Sequence, residues 1–217
     1  NPLLADNSIT ESQAICTGEK PADLVGSTPT GGNGVYVYLW EQSSDNVTYV
    51  PATGVNNSRD YQTMALTQET WYRRRVLSGG CESTSEPVQI IVNGVIANNS
   101  ISSPQTICTG AVPAALSGTA PTGGDGTYSY RWEISTNGPT GIFTAAPGDN
   151  SKQGYEPGPL TKTTWYRRVV LSGGCADLSS PIEVKVNEKI GNNAISADQI
   201  VCKGSDAATL NGSLPTG

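Results

Sequence analysis

Histidine is absent from the 217 residues, phenylalanine and methionine occur once each, and charged residues make up only 15% of the chain. Without histidine, the Ser-His-Asp and Cys-His arrangements of nucleophilic catalysis cannot be assembled from these residues. Zinc-ligand spacing is missing as well, because the five cysteines, at positions 16, 81, 108, 175 and 202, never fall as a CxxC pair. Basic charge is scarce: 13 Lys and Arg stand against 19 Asp and Glu, for a net charge of -6. That balance argues against nucleic acid and against an anionic membrane surface, both of which attract a basic stripe. No apolar run approaches the length of a membrane span, and no export signal is present, so such a signal is expected to have been removed or to lie outside this stretch. Long amphipathic helix patterns are also missing.

What remains is a turn-rich composition, with 25 glycines and 14 prolines, suited to short strands. Its main feature is an internal repeat. Residues 7–40 read NSITESQAICTGEKPADLVGSTPTGGNGVYVYLW, and residues 99–132 read NSISSPQTICTGAVPAALSGTAPTGGDGTYSYRW. LTQETWYRRRVLSGGC at 66–81 returns as LTKTTWYRRVVLSGGC at 160–175, and a third copy opens at 193–217. The second copy carries a short insertion between Trp132 and Phe143, which marks a surface loop. The expected organisation is the end of a preceding repeat at 1–6, a first repeat at 7–93, a linker at 94–98, a second repeat at 99–187, a linker at 188–192 and an incomplete third repeat at 193–217. The closing Leu214-Pro215-Thr216-Gly217 aligns with Thr28-Pro29-Thr30-Gly31 and reads as ordinary repeat sequence.

Comparing the copies exposes strand faces. Tyr36, Tyr38 and Trp40 recur as Tyr128, Tyr130 and Trp132, while Val35, Val37 and Leu39 become Thr127, Ser129 and Arg131. Constancy at period two predicts one buried and one solvated face, with all six aromatics lining the cores. Leu24 and Gly26 recur as Leu116 and Gly118 on the same argument. About seven short strands in about ninety residues predict an all-β fold of tandem immunoglobulin-like sandwiches, placed end to end. The order Cys16, Trp40, Cys81 fits in part, since the second cysteine falls on the last strand. Matching places in the two copies predict bridges Cys16–Cys81 and Cys108–Cys175, each closing about 65 residues and worth about 4 kcal/mol in the chain-entropy model. Cys202 is expected to pair beyond the stretch, and the disulfides imply an oxidising compartment.

The frame IC.G..PA.L.G..PTGG.G.Y.Y.WE followed by TWYRR.VLSGGC resembles the repeated Ig-like or PKD-like modules of very large Bacteroidetes surface proteins, of which the gliding-motility adhesins exported by the type IX pathway are the best known. The resemblance implies export and display at the cell surface, and it carries no catalytic residue over.

Trp71, Arg73, Trp165 and Arg167 are the candidate surface contacts, as a sugar-stacking platform or an anchor for an acidic group, against the competing reading of cross-strand pairing for the arginines and core packing for the tryptophans. Neighbouring arginines in Arg73-Arg74-Arg75 point to opposite faces of a strand and make no single patch. Glu41 and Glu133, the recurring acid, read as solvated edge charges, and Asp45, Asp125 and Asp149 as turn residues. Asn46, Asn56, Asn98 and Asn211 begin Asn-x-Ser/Thr triplets, which are discounted in a bacterial protein. No cofactor, metal or catalytic residue is expected. The expected function is that of a rigid, disulfide-locked structural and adhesive segment of an extracellular filament or adhesin. Its expected partners are neighbouring repeats, surface polysaccharide and other filament copies. The alternative is a carbohydrate-binding or spacer module of a secreted enzyme.

Overall fold

The computed structural model describes every residue except Ser103 and Ala197, and among the described residues it holds strands, bridges and turns but no helix. The first copy contributes β1 (Gln13–Cys16), β2 (Val37–Ser43), β3 (Val50–Pro51), β4 (Thr70–Ser78), β5 (Cys81–Thr84) and β6 (Val88–Ala97). Then follow β7 (Ile101–Ser102), β8 (Gln105–Cys108), β9 (Ser117–Gly118), β10 (Thr122–Gly124), β11 (Ser129–Ser135), β12 (Thr144–Ala145), β13 (Thr164–Ser172), β14 (Cys175–Leu178) and β15 (Ile182–Asn187). The chain divides into two compact units. One comprises Asn1–Asn99, Ala120–Ser129 and Val170–Asp177, and the other Ser100–Thr119, Tyr130–Val169 and Leu178–Gly217.

In the first unit the main sheet runs β1-β6-β4-β2-β3, with β1 parallel to β6 and every other pair antiparallel. β5 and β6 act as one strand along β4. The register moves by one residue between Arg75↔Thr84 and Tyr72↔Val88, so a bulge sits at Ser85. There the Arg74 N–H donates to Ser85 Oγ at 3.0 Å while the Ser85 N–H donates to Arg74 O at 2.9 Å. The facing layer is sparse, held by the bridges Ile9↔Gly26 and Leu24↔Tyr61. The second unit repeats the plan as β12-β11-β13-β15-β8, with β15 parallel to β8 and the bridge Leu116↔Tyr155 opposite. A parallel first strand on a sheet that carries a buried tryptophan on an inner strand, packed on a smaller antiparallel layer, is an immunoglobulin-like arrangement. The chain is a tandem of such sandwiches.

Two expectations about the fold are corrected. The core aromatics are not the run at 36–40. Trp40 and Trp132 are wholly buried, but Tyr36, Tyr38, Tyr128 and Tyr130 are only half-buried. The core is instead a stack of Trp40 on Tyr61 at 5.7 Å and Tyr61 on Tyr72 at 5.5 Å, matched by Trp132, Tyr155 and Tyr166. Each tryptophan can be buried because its indole N–H finds a carbonyl, Ser58 O at 2.9 Å or Lys152 O at 3.0 Å. Residues 94–98 are not a separate linker either. β6 continues to Ala97 and pairs with β10, Thr122↔Ala97 and Gly124↔Gly94. This closeness requires glycine at 123, where φ is +83° and a Cβ would stand 2.0 Å from Val95 O.

Towards the end of the chain, antiparallel bridges join Gly191 to Thr216 and Ile195 to Gly212, and Ile195, Ile200, Leu210 and Leu214 are exposed.

Candidate functional site

β4 alternates strictly. Tyr72, Arg74 and Val76 face inward, while Trp71, Arg73 and Arg75 are half-buried on the outer face. Trp165 and Arg167 take the same outer positions on β13 in the second unit. In each unit the predicted tryptophan and arginine therefore lie two residues apart on one face of one strand.

The arginines on that face are already engaged. Arg73 Nε donates to Glu41 Oε2 at 2.7 Å, and its guanidinium stacks 3.8 Å from the centre of the Tyr49 ring. Arg167 repeats this with Glu133 Oε2 at 2.7 Å and Phe143 at 4.2 Å. The aromatic partners recur at positions 49 and 143, a signal present in the sequence but lying in the irregular segment after the strand.

Glu41 and Glu133 are not the solvated edge charges expected of them. Each is only 6% exposed. A carboxylate so placed requires compensating donors, and each receives two arginines. Glu41 takes Arg73 and, at 3.3 Å, Arg75 from β4; Glu133 takes Arg167 and, at 2.8 Å, Arg131 from its own strand β11. The structure couples two positions that look independently tolerant. Leu39 is paired across the sheet with Arg75, and the second copy has Arg131 and Val169 in their places. The second cation moves from one strand to the other, and the position it leaves turns apolar.

Inside the sandwich, Arg74 and Arg168 are fully buried. Burial pulls the pKa of both guanidinium groups below the ordinary arginine value. Arg74 donates to Asn7 Oδ1 at 3.0 Å, Arg59 O at 2.9 Å and Ser27 O at 2.9 Å, tying both layers together. A Cβ at Gly26 would stand 1.7 Å from Arg74 Nη1, and one at Gly118 2.0 Å from Arg168 Nη1. The recurring glycine thus makes room for the guanidinium.

The turn aspartates act locally. Backbone N–H groups of Thr48 and Val47 and the Ser43 hydroxyl hold Asp45 down at about 2. The Lys152 ammonium and Ser151 hold Asp149 at about 2. Among the described residues no cluster of three or more His, Cys, Asp or Glu side chains could hold a metal ion. A cleft of about 510 Å³ lies beside Tyr155, lined by Asp149, Lys152 and Glu156. Its counterpart in the first unit, also about 510 Å³, is lined by Val55, Ser58, Asp60 and Gln62. The hollow belongs to the fold; its chemistry is not shared.

The disulfide corrects the predicted pairing. Cys16 is bonded to Cys175, at a Cα–Cα distance of 4.7 Å, while Cys81, Cys108 and Cys202 are free. The reason is strand direction. The parallel register sets Cys16 opposite Asn93, in the middle of β6. Cys81 starts the same continuous strand, twelve residues earlier, or about 40 Å at strand rise. A disulfide needs Cα atoms within about 7 Å, so the two cysteines of one copy cannot meet. Instead the Val170–Asp177 hairpin, part of the same compact unit, comes to Asn93 and Gly94 of β6. Asn93 Nδ2 donates to Gly173 O at 2.6 Å, and Cys175 Sγ lies 3.3 Å from Gly94 O. Gly173 and Gly174 both have positive φ, 56° and 83°, as the tight turn demands, and a Cβ at Gly174 would meet Ala14 O at 2.6 Å.

The family described as Domain of unknown function (DUF8696) matches residues 5–94 and again residues 97–188. The chain belongs to the DUF8696 family. No curated protein matches it. Among solved structures it is similar to Drosophila OTK extracellular domains 3-5, at 9% identity and a TM-score of 0.48, over 86% of this chain and 62% of that one. It is also similar to murine CEACAM1b, at 12% identity and a TM-score of 0.40, over 85% and 100% of the two chains. For titin domains I67-I69 the figures are 9% identity, a TM-score of 0.36, and 84% and 64%. The chain thus spans less than two thirds of the OTK and titin fragments. The fold assignment for this DUF8696 tandem rests on its own sheet order and buried tryptophans.

Proposed function

We propose that this DUF8696 tandem is a structural and adhesive segment of a long extracellular protein displayed at the cell surface, of the kind found in Bacteroidetes gliding-motility adhesins. The observation that carries this reading is what recurs between the copies. The aromatic stack, the buried arginine and the doubly paired glutamate are built twice from equivalent positions. The clefts, by contrast, share a place and not a set of groups. Repetition of a framework with a variable surface suits a stalk that acts through length and many weak contacts. The disulfide supports an oxidising, extracellular location. The half-buried Trp71 and Trp165 are the contact groups this reading offers to surface polysaccharide. The role is mechanical rather than catalytic.

Antibody raised against the chain should label intact, unpermeabilised cells of the source organism, and deleting the encoding gene should reduce attachment to glass or polysaccharide. Labelling that appears only after permeabilisation would sink the surface assignment. Unchanged attachment together with a secreted hydrolase activity lost in the deletion would favour the spacer reading.

A further inference from the structure

The free cysteines stand in the same frame as the bonded ones. Cys16 lies opposite Asn93 in parallel register, and Cys108 lies opposite Asn187 in the same register. After each, the next N–H donates back to that asparagine, Thr17 to Asn93 O and Thr109 to Asn187 O, both at 2.9 Å. The receiving end matches as well. Cys81, like Cys175, follows a Gly-Gly turn with both φ values positive, 57° and 82°. Asn1 Nδ2 donates to Gly79 O at 2.8 Å, as Asn93 Nδ2 does to Gly173 O. Cys81 Sγ faces Pro2 O at 3.9 Å, as Cys175 Sγ faces Gly94 O. Asn1-Pro2 therefore sits at the Cys81 hairpin as Asn93-Gly94 sits at the Cys175 hairpin, and only the latter has a cysteine bonded to it.

We propose that the bridge is a repeating staple with one rule: the first cysteine of a module bonds to the second cysteine of the module that follows it. Cys108 is then the donor half, directed at a Cys175-type cysteine, and Cys81 is the acceptor half, directed at a Cys16-type cysteine. The partner of each is another copy of this same module. The bonded pair Cys16–Cys175, made by the equivalent residues in this same chain, shows the two halves joined. The chemistry is ordinary thiol–disulfide exchange. One cysteine thiolate attacks an oxidant disulfide and forms a mixed disulfide, releasing one thiolate. The second cysteine thiolate then displaces the other half, so two protein thiols become one disulfide while the oxidant takes up two electrons and two protons. The consequence reaches beyond adhesion. Tension along the chain would pass across each junction through a covalent bond, with no bridge closing inside a single module.

The test is a chain in which residues 99–192 are duplicated in tandem. The inserted copy carries Cys108→Ser, to leave one donor, and Ser180→Thr at an exposed position as a mass tag. The protein is refolded with glutathione disulfide, alkylated, and mapped by non-reducing proteolysis and mass spectrometry. The expected map links Cys16 to the untagged Cys175 and Cys108 to the tagged Cys175, in comparable yield. Cys108 bonded to the untagged Cys175, or a tagged Cys175 left free or joined to Cys81 or Cys202, would overturn the rule. The 217-residue chain gives an independent check. It should show Cys16–Cys175 with Cys81 and Cys108 both open to alkylation, and bridges within one copy there would also overturn it. Neither failure bears on where the protein is displayed or what it contacts.

Discussion

The two copies solve one electrostatic problem in two ways. In the first, Glu41 takes its second arginine from the neighbouring strand, and Leu39 stands opposite it; in the second, Glu133 takes Arg131 from its own strand, and Val169 occupies the other position. Compared one position at a time, both sites look permissive. Taken together, they show that the fold fixes the number of cations around a nearly buried carboxylate while leaving open which strand supplies them. The inner face allows no such freedom. Arg74 and Arg168 are held by main-chain carbonyls, whose positions are set by the layers themselves.

The sharpest way to break this comparison is at the shared core. Trp40→Ala and Trp132→Ala should each cost about 3–5 kcal/mol, the range for truncating a large buried aromatic, read from urea denaturation of the whole chain. Costs differing by more than about 2 kcal/mol would mean that the two stacks are not energetically equivalent.

A second comparison uses alkali. Burial pushes Tyr72 and Tyr166 up to about 12 from an ordinary value near 10. Between these values the unfolded chain gives up protons that the folded chain keeps. The stabilising contribution is therefore complete below pH 10 and is lost as pH rises towards 12. Thermal melts across that window should fall together for both copies, and Tyr72→Phe should flatten the fall for the first copy only. A fall that begins well below pH 10 would point to other groups.

The smallest effect concerns the exchange of cations. Arg75→Val alone should destabilise the first copy by about 1 kcal/mol, because it strips one partner from a buried acid. Adding Leu39→Arg, which installs the second copy's solution, should restore most of that loss, with a coupling energy near 1 kcal/mol. Additive single effects would show that the two positions are independent after all.

Much of the architecture was legible in the chain. The period, the strand alternation and the placement of Trp40 and Trp132 follow from comparing copies, because inward-facing residues are constrained by packing and outward ones are not. The Tyr61 and Tyr155 rings recur as well, but in a segment without alternation, so periodicity gave no means of assigning them to the core. On the outer face, Trp71 and Arg73 could be placed on one side of β4 from spacing alone. Their partners Glu41 and Tyr49 could not, since contacts across strands depend on register.

The sequence by itself determined that two like modules follow one another, that each is a sandwich of short strands, and that its cysteines occupy equivalent places. Only the tertiary structure decided which cysteines meet. Equivalence in the sequence suggests a bridge within each copy. A disulfide, however, responds to distance in space, and a strand running from Cys81 past Asn93 holds that copy's two cysteines at opposite ends of the sheet. The parallel pairing of β1 with β6 places Cys16 beside a hairpin contributed by the next copy, and there it finds Cys175 with the Cα atoms 4.7 Å apart.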